Sequence, residues 1–288
     1  MCIRDSLQGL VPPPLPFWRW LTPPRVVRQR QNALSRVAGS VPRMTATVRG
    51  FTTGWLTTDL AGLLEGGEGQ IRIPVLSYLV EHADGTLVFD TGLHTDMRID
   101  PGARIGRLAD YFASELAPDT AVHERTATLE IEPDMVVCSH LHFDHCGGNA
   151  LLGDVPIVVQ RKEWDAAHGG DPSAAYLPAD FDTGQDVRLV DGEHDVFGDG
   201  SVVCIPTPGH TAGHQSLRVR TASREVLLTG DACYFRTSLE TSKLPLFSHD
   251  REQQLRTFGA LRAIEAAGAH LVFGHDPAQW PDDTPVAL

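Results

Sequence analysis

The run His140-Leu141-His142-Phe143-Asp144-His145, followed by Cys146-Gly147-Gly148, puts three imidazoles and a carboxylate into six residues. Imidazole and carboxylate are the ligands that suit zinc and related divalent metals. In an extended segment residues two apart face the same side, so His140 and His142 can share one ion. If the chain then turns into a helix, Asp144 and His145 swing towards a neighbouring ion. Further candidates follow: His210 after Thr207-Pro208-Gly209, Asp231 after Thr229-Gly230, and His275 after Phe273-Gly274. Each comes directly after a glycine, which lets the backbone turn tightly. Any one of these side chains alone reads as an ordinary core or surface residue, and only the set points to metal. Two ions roughly 3.5–4 Å apart can share a water and hold a substrate's oxygens, and zinc lowers the pKa of bound water to about 7. The chemistry indicated is hydrolysis that needs no serine or cysteine nucleophile.

These residues must be carried by strand ends. Val75–Glu81 and Thr86–Phe89 read as two strands joined by Ala83-Asp84-Gly85, since Asp-Gly between β-branched runs is a hairpin signal. Met135–Ser139, Pro156–Gln160, Val202–Ile205, Ser216–Arg220, Glu225–Thr229 and Leu271–Phe273 read as further strands, and His140, His210, Asp231 and His275 each lie just beyond one of them. The clearest helix spans Asp250–Ala267, with Leu255, Phe258, Leu261 and Ile264 on one face, Asp250 and Gln253 as a capping box, and Gly268 as the stop. Arg107–Leu116 and Lys162–His168 are weaker helical stretches. Strands in succession, interrupted by single helices, imply two sheets packed face to face with helices outside.

At these motifs the chain resembles the metallo-β-lactamase superfamily, from about Val75 to His275. The resemblance implies an α+β fold, a four-layer αββα sandwich with its metal site at one edge of the two sheets. It also implies that His140, His142 and His210 hold one ion, that Asp144, His145 and His275 hold the other, and that Asp231 bridges both. Within the superfamily, Ser139–His145, Gly209–Leu217 and Gly230-Asp231-Ala232-Cys233-Tyr234 are similar to segments of the N-acyl-homoserine lactone lactonases. That likeness implies two divalent metal ions, most simply zinc, with iron, cobalt and manganese also compatible with such ligands. It further implies a lactone substrate with an acyl chain, opened by a bridging hydroxide, and so the silencing of bacterial quorum signals. Tyr234, three positions after Asp231, resembles the family's catalytic phenol, and Asp144 is placed to carry the proton to the leaving oxygen. Asp90, in Phe89-Asp90-Thr91-Gly92, resembles an outer partner orienting a ligand imidazole, against the alternative of a loop-capping aspartate.

Other residues stay open between two readings. Phe235, Leu239, Leu244, Leu246 and Phe247 fit an acyl-chain groove or plain loop packing. Leu60, Leu63 and Leu64 fit a flap over the substrate or a homodimer contact. Cys146 is a candidate substrate contact, while Cys138 and Cys233 fill packing, and His82, His94, His123, His168, His194, His214, His249 and His270 lack partner spacing. The formal charge of −13 repels phosphate backbones and anionic membranes, so nucleic acid is excluded as main partner and nuclease chemistry is disfavoured. No apolar run approaches the ~20 residues of a membrane span. Five cysteines without a disulfide-framework spacing fit a reducing, cytoplasmic compartment. Residues 1–43 hold seven arginines against one acid and are rich in proline, which reads as a poorly ordered or artefactual tail before a hydrolase domain at 44–288. Rival functions are a glyoxalase-type thioester hydrolase, a hydrolase of another lactone or an organophosphate, and a non-catalytic metal- or signal-binding protein. The thioester reading sits poorly with only thirteen residues after His275, where that family carries a further helical domain.

Overall fold

The computed structural model describes residues 45–169 and 175–288, and the expected tail at 1–43 lies outside them. β1 (Thr47–Asp59), β2 (Gln70–His82), β3 (Gly85–Phe89), β4 (Ala113–Glu115), β5 (Met135–Val137), β6 (Ile157–Gln160) and β7 (Val187–Val190) belong to one sheet. A second sheet holds β8 (His194–Asp195), β9 (Val202–Pro206), β10 (Gln215–Arg220), β11 (Glu225–Leu228) and β12 (His270–Val272). The last strand, β13 (Val286–Ala287), returns to the first sheet, whose order is β13-β1-β2-β3-β5-β6-β7 with β4 also on β1; the second runs β12-β11-β10-β9-β8.

Alternation along the strands makes the layers. Val48, Leu76, Tyr78, Val80, Leu87, Phe89, Val137 and Val158 of the first sheet pack against Val202, Cys204, Leu217, Val219, Val226, Leu228 and Val272 of the second. The opposite faces take helices. Val136, Cys138, Ile157 and Val159 meet Trp164 and Ala167 of helix Arg161–His168 and Phe181 of helix Pro178–Phe181. Leu227 and Leu271 meet Phe258 and Leu261 of helix Arg251–Ala266. Period-two burial on both sheets thus produces the expected helix–sheet–sheet–helix sandwich. Phe258 is fully buried in that outer layer, so Phe258→Ala should cost about 3–5 kcal/mol of stability in urea unfolding while leaving metal content unchanged. A loss below 1 kcal/mol would contradict this packing.

Three sequence readings need correction. The hairpin register pairs His82 with Gly85, so the turn residues are Ala83-Asp84 and Gly85 opens the next strand. Arg107–Leu116 is not a helix: a 3-10 turn covers Gly106–Asp110, and Ala113–Glu115 pairs with Trp55–Thr57. The edge of β1 left open beyond β13 takes up those backbone groups, a tertiary demand that overrides local helical preference. On helix Arg251–Ala266, Asp250 caps through the amide of Gln253 (2.9 Å), but Leu255 is 42% exposed and Gln254 takes its place on the buried side. The longest strand to escape the sequence reading is β1. Its register against β2 shifts between Thr52 and Trp55, and Gly54 sits there at φ +135 with Leu93 and Glu115 too close for a Cβ.

Candidate metal centre

Parallel pairing decides where the site forms. β3 and β5 pair in parallel, as do β11 and β12, and β9 points the same way as β11 because both are antiparallel to β10. Their C-terminal ends therefore open on one edge, where an α/β-type sheet characteristically receives ligands. Asp90 follows β3, Ser139–His145 follow β5, His210 follows β9, Asp231 follows β11 in the 3-10 turn Gly230–Ala232, and His275 follows β12. The two sheets are tied at this edge by the Gln215 amide donating to Ser139 O (2.9 Å) and Gln215 Nε2 donating to Cys138 O (2.8 Å). Beyond β5 the chain stays extended through His142 (φ −75, ψ 156) and then enters the one-turn helix Phe143–Cys146. That switch from extended to helical is what separates His140 and His142 from Asp144 and His145.

Ligand-type atoms of His140, His142, His210 and Asp231 lie within 4.8 Å of one another, and so do those of Asp144, His145 and His275. Asp231 serves both groups with different oxygens. Its Oδ2 is 3.3 Å from His210 Nε2 and 3.7 Å from His140 Nε2, while Oδ1 is 3.0 Å from His275 Nε2 and 3.2 Å from His145 Nε2. His142 Nδ1 stands 3.1 Å from His210 Nε2, and Asp144 Oδ2 is 3.7 Å from both His145 Nε2 and His275 Nε2. All are buried except the half-buried His142.

The outward nitrogens of His140, His145 and His275 are held. His145 Nδ1 donates to Asp90 Oδ2 (2.9 Å) and His275 Nδ1 donates to Pro74 O (2.8 Å). The Ser139 hydroxyl donates to Asp90 Oδ2 (2.7 Å), which leaves its oxygen to accept from His140 Nδ1 (2.9 Å). Asp90 Oδ1 also accepts the Ser139 amide (2.6 Å), and Asp90 holds this position in a left-handed backbone (φ 57). With Nδ1 protonated, the Nε2 lone pairs of these three histidines face the centre. There, His140 Nε2, His145 Nε2 and Asp231 Oδ1 are buried without a hydrogen-bond partner. Buried polar atoms are rarely left so, and a pair of divalent cations satisfies all three, so the residues present fit a dinuclear centre.

Charge in the cluster follows from burial and neighbours. Burial pushes His142 down to about 3 and, with the adjacent imidazoles, holds His140 well below the usual histidine range. Burial also lowers His210, with Asp231 opposing. Neutral imidazole is the form that binds metal. Burial disfavours charge on His145 too, but the carboxylates of Asp231, Asp144 and Asp90 outweigh it and raise its pKa. Asp231 is held well below the carboxylate range because His145 and His275 overcome its burial. Tyr234 packs edge-on between the two halves, its ring centroid 5.6 Å from His210 and 5.3 Å from His275. Burial, then the carboxylates of Asp231 and Asp144, raise its pKa well above 10, so its hydroxyl remains a donor.

Several neighbours fall elsewhere than expected. Cys146 is fully buried in the outer layer with Leu141 and Phe181. Leu239 and Leu244 pack beneath helix Arg251–Ala266, while Leu246 and Phe247 are 63% and 57% exposed. Leu63 is buried, and Leu60 and Leu64 pack half-buried beside it in a cluster with Tyr234 and Phe235. His214 is fully buried, its ring centroid 5.1 Å from His140 and its Nδ1 2.9 Å from Thr207 Oγ1. Glu163 and Tyr176 escaped the sequence reading. The signal was an acid on the face of helix Arg161–His168 that also buries Ala167, four residues on.

Comparison with known proteins agrees with this geometry. Residues 71–275 match the profile of the Metallo-beta-lactamase superfamily. The N-acyl homoserine lactonase AttM of Rhizobium johnstonii is 36% identical over 228 residues, covering 75% of this chain and 87% of the relative. The N-acyl homoserine lactonase AiiA of Bacillus thuringiensis subsp. kurstaki is 31% identical over 218 residues, covering 73% and 84%. Among solved structures, an N-acyl homoserine lactone hydrolase with the product N-hexanoyl-L-homoserine bound at its catalytic metal center superposes with a TM-score of 0.75 at 26% identity, over 82% of this chain and 96% of the other.

Proposed function

Because the chain belongs to the metallo-beta-lactamase superfamily, among its N-acyl homoserine lactonases, we propose that the His/Asp centre hydrolyses the lactone ring of N-acyl homoserine lactones and so quenches quorum signals. One observation carries this reading: Asp231 offers one oxygen to each half of the centre, and the Tyr234 ring stands against a histidine of each half. His140, His142 and His210 would hold one metal ion and Asp144, His145 and His275 the other, with Asp231 the carboxylate shared between the two groups. Zinc suits this imidazole-rich set, and no helix among the described residues is long and apolar enough to cross a membrane. Cys138, Cys146, Cys204 and Cys233 are free and buried, which supports the reducing cytoplasm as compartment.

When bound, the metal pair supplies Lewis acidity, lowering the pKa of water and polarising a carbonyl oxygen. The chain's own residues do the rest. Water adds across the ring's acyl C–O bond: its oxygen goes to the carbonyl carbon, one proton goes to the ring oxygen, and the acid formed releases a second proton to solvent at neutral pH. Tyr234, held protonated, donates a hydrogen bond where negative charge develops. Asp144, whose pKa burial raises and the imidazoles of His145 and His275 pull back, takes a proton and passes it to the departing ring oxygen. Asp90 and the Pro74 carbonyl keep His145 and His275 in the tautomer that aims Nε2 inward.

Proton release from lactones, thioesters and phosphotriesters, with metal content assayed on the same sample, tests the proposal. Expected are fast release with acyl homoserine lactones, about two ions per chain, and loss of activity on chelation. Negligible lactone turnover beside fast thioester cleavage would reassign the substrate. Lactone binding without acid product would leave a binding protein.

A further inference from the structure

Glu163 is fully buried, takes part in none of the ion pairs among the described residues, and collects four donors. Its Oε1 accepts from the Leu141 amide (3.1 Å) and the Tyr176 hydroxyl (2.9 Å), and its Oε2 from the Thr211 hydroxyl (2.6 Å) and the Gly213 amide (3.0 Å). Leu141 lies between His140 and His142, and Thr211 follows His210. Tyr176 packs on His142 with ring centroids 4.9 Å apart and bridges its backbone. One carboxylate thus touches every segment that carries an imidazole of the first metal group. The histidines of the second group are oriented by other partners, Asp90 and the Pro74 carbonyl. Gly213 shows how closely the loop is drawn in, since a Cβ there would stand 2.1 Å from the Glu163 nitrogen.

We infer that Glu163 is a positioning residue for the first metal ion alone: it sets the spacing of His140, His142 and His210 without touching the ion or the substrate. The inference rests on the dinuclear reading above. Outer partners of metal ligands typically carry 10–100-fold in metal affinity. An amide in place of the carboxylate turns an NH2 towards one pair of donors. The hydroxyl of that pair can rotate and accept, but the backbone N–H of Leu141 or Gly213 cannot, and it is left buried without an acceptor.

The full chain, stripped by a chelator, is titrated with zinc against a chromophoric competitor as wild type, Glu163→Gln, Thr211→Val and His210→Ala. For Glu163→Gln one equivalent is expected to weaken about 10–100-fold and the other to stay within about two-fold. The weakened equivalent is the one missing in His210→Ala. Equal weakening of both equivalents, or no change in either, would overturn the inference, since support of the fold alone does not single out one ion. Should Glu163→Gln fail to fold, Thr211→Val, which keeps the carboxylate and removes one donor, decides by the same selective pattern at smaller amplitude. Lactone turnover of the wild type is measured on the same sample. Its absence would sink the lactonase reading, whereas the zinc pattern alone judges Glu163.

Discussion

In Asp231→Asn the chain is expected to retain at most one metal ion where the wild type holds two, and to open lactones at least about 10³-fold more slowly. The carboxylate supplies an oxygen to each half of the centre, at 3.3 Å from His210 Nε2 and 3.0 Å from His275 Nε2. Asparagine keeps the shape but offers one oxygen, and its NH2 points hydrogens at nitrogens whose lone pairs should face a cation. It also removes the negative charge that faces His145 and His275, the two imidazoles that hold Asp231 ionised despite its burial. Metal-ion catalysis supplies several kcal/mol of transition-state stabilisation. Losing about 4 kcal/mol of it corresponds to the stated factor. Metal analysis of the purified variant, kcat/KM on a homoserine lactone, and circular dichroism to confirm folding measure the effect. A folded variant that keeps two ions would end the bridging assignment.

Much of this site is legible in the sequence because metal ligands are written locally. Three histidines and an aspartate within six residues specify chemistry wherever they are placed, and His210, Asp231 and His275 stand directly after strand-like runs. Helix Arg251–Ala266 is equally visible, through its Asp250 cap and the buried Phe258 and Leu261. What sequence alone conceals is whatever depends on distant partners. β1 pairs with β2 over eleven positions, yet Gly50 and Gly54 interrupt the alternation that would have revealed it. Ala113–Glu115 looks helical until the free edge of β1 draws it into a strand. Leu239 and Leu244 read as groove residues until helix Arg251–Ala266 covers them, and Cys146 reads as a site residue until Phe181 does. Glu163 is the strongest example. Its role consists of four hydrogen bonds, three of them to residues 22 or more positions away, and no local pattern encodes that convergence.

Tyr234→Phe should lower lactone turnover about 10- to 100-fold while metal content and stability stay at wild-type values. The ring is already packed, edge-on to His210 at 5.6 Å and to His275 at 5.3 Å and clustered with Ile73, Leu93 and Phe143, and phenylalanine preserves all of those contacts. Only the hydroxyl goes. That hydroxyl is kept protonated by burial and by the carboxylates of Asp231 and Asp144, so it acts as a donor towards developing negative charge. A hydrogen bond to a charged group contributes about 1.5–3 kcal/mol, which converts to the range given. Because the interaction strengthens as charge develops, the loss belongs in kcat more than in KM. The donor form persists to high pH, so no alkaline fall in kcat present in the wild type but missing in the variant is expected. Steady-state kinetics of both proteins at matched metal content decide the matter: a folded, fully metallated variant with wild-type kcat removes the phenol from the reaction, and a change confined to KM assigns it to substrate binding alone.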